Sequence, residues 1–209
     1  MTLTCTVGIY LFDKVEVLDF AGPFEVFSTA ARVKSRLEPG APKPFKVVTI
    51  SERLRPIKAR GGLSVQPHFD FTDHPAVDIL IIPGGDVSSE LKQAEVIDWI
   101  ARTAPGTSVT ASVCTGAFLL GKAGLLNGKR ATTHWEDVAD LRAMFPEVQV
   151  ETSSRWVDTG QVITSAGISA GIDMSLHIVR RMEGEELAIR TARQMEYEWH
   201  PQRGLTDER

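Results

Sequence analysis

The chain has 209 residues, 43% of them hydrophobic and 24% charged, with a formal net charge of −4. That balance fits an ordinary globular protein, able to bury about 70% of its unfolded surface in one domain spanning residues 1–209. The slight acidity, with Lys129-Arg130 as the one notable basic pair between structured segments, argues against a nucleic-acid surface. No apolar run approaches the roughly 18 residues of a membrane span, and no charged-then-apolar leader is visible. With only two distant cysteines, Cys5 and Cys114, these features point to a reducing, cytoplasmic setting. The five histidines show no zinc-type spacing with one another or with the cysteines, so no metal is expected.

Strand-like and helix-like runs alternate along the chain, which predicts an α/β fold with a mostly parallel sheet and helices on both faces. The first strand is expected at 7–12, followed by a loop rich in apolar residues around Asp19. A helix at 23–33 would open with Pro23, whose missing N–H costs nothing at a first helical position. Segments 34–44 and 52–62 read as surface loops on either side of a strand at 45–50. Further strands are expected at 78–82 and 107–113, with helices at 94–103, 115–123 and 135–145. A hairpin of 155–158 and 162–165 turns at Thr159-Gly160, and helices at 170–182 and 185–197 complete the pattern.

The most telling segment is Ser112-Val113-Cys114-Thr115-Gly116, where an apolar strand runs into a helix of small residues. A sharp strand-to-helix turn lifts the corner side chain out of the packed layer and aims unpaired helix N–H groups at it. Those donors and the helix dipole favour thiolate over thiol, so Cys114 is the expected nucleophile. Cys5 lacks such a context and reads as structural. In parallel sheets, ligands bind past the carboxyl ends of the strands where the strand order reverses. Two other loops belong there. Asp19, a lone carboxylate among apolar neighbours, either caps the following helix or, with its pKa raised by burial, transfers protons. Gly84 and Gly85 either make a tight turn or offer N–H groups to an anion forming on a substrate attacked by Cys114. The Thr115 hydroxyl either bonds the backbone or holds a substrate or water. His134 is the one histidine suited to pair with the thiol, and Trp135 is expected to pack or to wall the pocket.

Together these segments resemble the ThiJ/PfpI superfamily of class-I glutamine amidotransferase-like proteins, in its isocyanide hydratase branch. The resemblance runs through Leu18-Asp19-Phe20-Ala21-Gly22-Pro23, Ile82-Pro83-Gly84-Gly85, Val113-Cys114-Thr115-Gly116, Ala131-Thr132-Thr133-His134-Trp135 and Ser165-Ala166-Gly167-Ile168. It implies a flavodoxin-like three-layer sandwich, a homodimer, no cofactor, and a small-molecule substrate reaching Gly167 and Ile168 as well as His134 and Trp135. For the hydratase it implies a Cys114 thioimidate, with Asp19 as general acid and base and an N-formamide as product. Threonine after the cysteine, where the superfamily's peptidases carry histidine, argues against a Cys-His peptidase. The run Ser165-Ala166-Gly167 departs from the hydratase's glycine-rich segment. Other members of the branch are sensing domains of AraC-type regulators, but the residues after the helix near Tyr197 are too few for a helix-turn-helix domain. A redox or electrophile sensor with an oxidisable Cys114 and a glyoxalase- or amidase-like activity are the alternative functions.

Overall fold

Ile79–Ile82 and Val109–Val113 are buried along their whole length, as central strands covered on both faces must be. Around them the computed structural model, which describes residues 4–206, builds one eight-stranded sheet. In chain order, β1 (Cys5–Tyr10) leads through α1 (Val17–Leu37) to β2 (Phe45–Ser51). A small antiparallel pair, β3 (Ile57–Lys58) and β4 (Ser64–Val65), precedes β5 (Phe69–Asp70) and β6 (Ile79–Ile82). Next come α2 (Ala94–Thr103), β7 (Val109–Val113), α3 (Gly116–Lys122), β8 (Arg130–Ala131), α4 (Val138–Met144) and β9 (Gln149–Val150). The chain continues through β10 (Trp156–Asp158), β11 (Val162–Ser165), α5 (Ala170–Glu183), α6 (Glu185–Gln194) and β12 (Gly204–Thr206).

The sheet order is β12-β10-β11-β7-β6-β1-β2-β5, and every neighbouring pair is parallel except the β10–β11 hairpin. Helices α1, α5 and α6 pack on one another, while α2 and α3 pack together, giving the flavodoxin-like α/β sandwich expected from the alternation of elements. From β1 the chain moves to β2 on one side, then returns to lay β6 on the other. The strand order therefore reverses between β1 and β6, and the loops after β1, β6 and β7 converge at that crevice.

Three expectations are corrected. Helix α1 begins at Val17, so Asp19 is its third residue and Pro23 lies in its interior. The buried stripe Phe20, Val26, Phe27 and Ala30 draws the earlier residues into the helix, and the proline leaves the Asp19 carbonyl without an i+4 N–H. The same helix runs on to Leu37, where Lys34 pairs with Glu38 at 2.8 Å, shortening the expected 34–44 loop. The helix expected at 135–145 divides into a 3-10 turn at Trp135–Asp137 and α4. In that turn Trp135 is 76% exposed, tilted against the His134 ring at 5.8 Å and outside the core.

Candidate active site

The β7–α3 corner is tight. Cys114 sits at φ +56°, a left-handed conformation that costs a non-glycine residue roughly 1–3 kcal/mol and persists only where its surroundings hold it. Both sides of the residue are held. Its N–H donates to the carbonyls of Ser165 (3.2 Å) and Ala166 (3.3 Å) at the end of β11, and the Thr133 hydroxyl donates to its carbonyl at 2.9 Å. Gly116 must be glycine, because a Cβ there would run into the Ile82 carbonyl at the end of β6.

Asp19 is fully buried. It does not cap α1: the cap position is Glu16, whose side chain makes no capping bond. Instead, Asp19 Oδ2 accepts the Gly84 N–H at 3.0 Å. The Cys114 thiol lies beside the carboxyl and steadies its charged form, while Oδ1 has no hydrogen-bond partner. A buried carboxylate with one donor is poorly solvated, and burial pushes Asp19 up to about 7, with nearby Glu16 adding to the rise.

The thiol behaves differently from the sequence expectation. Burial pushes Cys114 up to about 12, and the neighbouring Asp19 charge adds to this, while N–H groups of Thr115 and Ile168 pull it down. Each charge penalises the other, so at neutral pH the pair carries at most one negative charge. When Asp19 holds the proton, the sulfur is relieved of its neighbour's charge and faces the two N–H donors. That arrangement is the nucleophilic form.

Gly84 and Gly85 are committed within the protein. Gly84 N–H is taken by Asp19, and Gly85 N–H donates to Thr115 Oγ1 at 2.9 Å. The same hydroxyl donates back to the Gly85 carbonyl at 3.0 Å. Thr115 thus latches the loop after β6 to the corner after β7, and its hydroxyl takes the backbone-bonding role. A side chain at Gly84 would meet Thr115 Oγ1 at 2.5 Å and Asp19 Oδ2 at 3.0 Å. Gly85, at φ +136°, bridges Val15 and closes the loop after β1 onto the same platform.

His134 is engaged by its own helical turn and by the loop after β11. Its Nδ1 accepts the Glu136 N–H at 3.3 Å and lies 3.4 Å from Asp137 Oδ2, while its ring covers Gly167 so closely that a Cβ there could not fit. Ile168, expected only as a pocket residue, contributes a backbone N–H to the sulfur and itself sits at φ +47°. Arg155 braces that loop: its guanidinium bonds Asp173 and donates to Ser169 Oγ at 3.1 Å. The run of small residues at 165–167 is the one sequence hint of this second donor loop. Beside Thr115 opens a cavity of about 490 Å³, lined by Val87, Leu91, Phe118 and Met144 together with Asp86, Asp137 and Asp140; Thr115, and not Cys114 or Asp19, forms its wall on the side of the corner.

Residues 5–181, which hold every group of this constellation, match the DJ-1/PfpI family. The chain belongs to the DJ-1/PfpI family. An isonitrile hydratase from Pseudomonas putida is 34% identical over 192 residues, covering 91% of this chain and 78% of that protein. The HTH-type transcriptional regulator GbdR from Pseudomonas aeruginosa is 29% identical over 92% of this chain, which spans only 51% of that regulator. Among solved structures, a THiJ/PfpI family protein from Pseudomonas syringae superposes with a TM-score of 0.82 at 27% identity, covering 96% of this chain and 78% of that one. The relatives of this DJ-1/PfpI chain thus include both an enzyme and regulators. Among the described residues, no helix is long and apolar enough to cross a membrane.

Proposed function

We propose that this DJ-1/PfpI protein is a cysteine-dependent hydratase acting on isocyanides. The observation that carries this reading is the buried Asp19 carboxyl, held by the Gly84 N–H at 3.0 Å beside the buried Cys114 thiol; burial of the pair and the N–H groups of Thr115 and Ile168 toward the sulfur support a proton shared between them. The similarity to an isonitrile hydratase supports it. Sγ of Cys114 attacks the terminal carbon of R–NC, forming an S–C bond, and the thiol proton passes through Asp19 to that carbon, giving R–N=CH–S–Cys. Asp19, again a carboxylate, takes a proton from water as it adds to the same carbon and returns it through the nitrogen side. The C–S bond then breaks, releasing R–NH–CHO and restoring the thiol. No electrons are exchanged and no cofactor is required. The cavity next to Cys114 at Thr115, where Val87, Leu91, Phe118 and Met144 stand among the polar Asp86, Asp137 and Asp140, offers room for an alkyl or aryl R group. The exposed apolar side chains Leu18, Trp135 and Ile168, close to the site in sequence, suit a homodimer contact, and the setting is cytoplasmic.

Purified protein incubated with a panel of alkyl and aryl isocyanides is expected to yield N-formamides detectable by NMR, and Cys114→Ser abolishes this. Absence of turnover across the panel overturns the hydratase reading and favours ligand binding.

A further inference from the structure

A second cleft lies at the carboxyl ends of β1 and β2, and neither Asp19, Cys114, Thr115 nor Ile168 lines it. Its volume is about 530 Å³, and its floor is Tyr10 and Glu90. Glu90 is only 5% exposed. Its Oε2 accepts from the Tyr10 hydroxyl and its Oε1 from Gln93 Nε2 at 3.2 Å, both neutral donors.

The other charges around the cleft cancel in pairs: Arg55 with Asp13 at 2.7 Å, Lys14 with Asp86 at 2.9 Å, and Arg53 with Glu52 at 3.2 Å. Among the described residues lining the cleft, this leaves a buried carboxylate, Glu90, and an exposed ammonium, Lys92, without ion-pair partners. A desolvated carboxylate lacking a cation is costly. Here it opens onto space large enough for a small organic molecule, beside Tyr10 and Phe12.

We propose that this cleft binds a compact zwitterion, its ammonium group on Glu90 beside Tyr10 and its carboxylate at Lys92. The site is independent of the chemistry at Cys114.

Calorimetric titration of the full chain with β-alanine, n-propylamine and propionate separates the contributions. β-Alanine is expected to bind most tightly and propionate most weakly. Glu90→Gln weakens both amines at least about tenfold, the scale of losing one charge-assisted hydrogen bond. Lys92→Ala weakens β-alanine alone, and Cys114→Ser changes nothing. No saturable binding in the millimolar range, propionate binding as well as β-alanine, or unchanged amine binding in Glu90→Gln overturns the proposal. Should Glu90→Gln not fold, wild-type NMR decides: β-alanine must shift the Tyr10, Glu90 and Lys92 resonances, and shifts confined elsewhere refute the site.

Discussion

Replacing Asp19 by asparagine should stabilise the protein while stopping its chemistry. The carboxyl is fully buried and is raised from 3.8 to about 7 in the folded state. The folded form therefore holds a proton that the unfolded form releases. For a carboxylate raised in this way, folded-state stability falls as pH climbs from about 4 to about 7, and the cost stays constant above that. A shift of about 3 units at 1.36 kcal/mol each gives roughly 4 kcal/mol as the upper bound at pH 8. Asparagine keeps an acceptor for the Gly84 N–H and removes the charge, so Asp19→Asn escapes this cost. Urea unfolding at pH 8 should show the variant more stable by several kcal/mol, and at pH 4.5 the difference should shrink to within about 1 kcal/mol. If half the bound is realised, Tm at pH 8 rises by about 4–8 °C for a chain of this size. Parallel stability curves for the two proteins across this range would refute the assignment of a raised Asp19.

Turnover by the wild type should rise through a single ionisation near pH 7, when the Asp19–Cys114 pair loses its first proton, and level off above it; a flat pH profile of kcat/KM contradicts the shared proton. In Asp19→Asn the sulfur loses its neighbour's charge, so iodoacetamide alkylation of Cys114 should shift to lower pH even as formamide production stops. Thr115→Val leaves both Gly85 backbone groups without the hydroxyl they share and should cost about 1–3 kcal/mol in urea unfolding, whereas Thr115→Ser stays near wild type. Gly84→Ala drives a methyl group between Thr115 and Asp19 and should lower kcat by at least about tenfold while circular dichroism reports a folded protein.

Much of the architecture was legible because buried strands and amphipathic helices carry distinct periods. The short strands β3, β4, β5, β8, β9 and β12 did not show, since two or three residues hold no period. The α1 start was hidden by Pro23, whose usual position at a helix opening was outweighed by burial of Phe20 and its stripe. At the site, the small residues around Cys114 announced the corner, and the flanking loops were located by strand order. The roles within them were harder to see. Whether Asp19 caps or faces the thiol depends on where its helix begins. The Gly84 and Gly85 N–H groups have internal acceptors that only the packed loops reveal. Ile168 acts through its backbone, so its side-chain identity carried no signal. The high Cys114 pKa arises from burial beside a carboxylate more than 90 positions away in the chain, which local sequence cannot express.

The backbone at Cys114 is pinned from both flanks, by Ser165 and Ala166 on its N–H and Thr133 on its carbonyl, through bonds that involve no sulfur. The corner is thus a socket whose shape does not depend on the plug. Exchange of the thiol for an inert side chain removes reactivity yet leaves the crevice, the aspartate and the facing N–H groups in place. A receptor for a small molecule needs that same crevice and no more, so one scaffold can pass between turning a compound over and merely registering its presence.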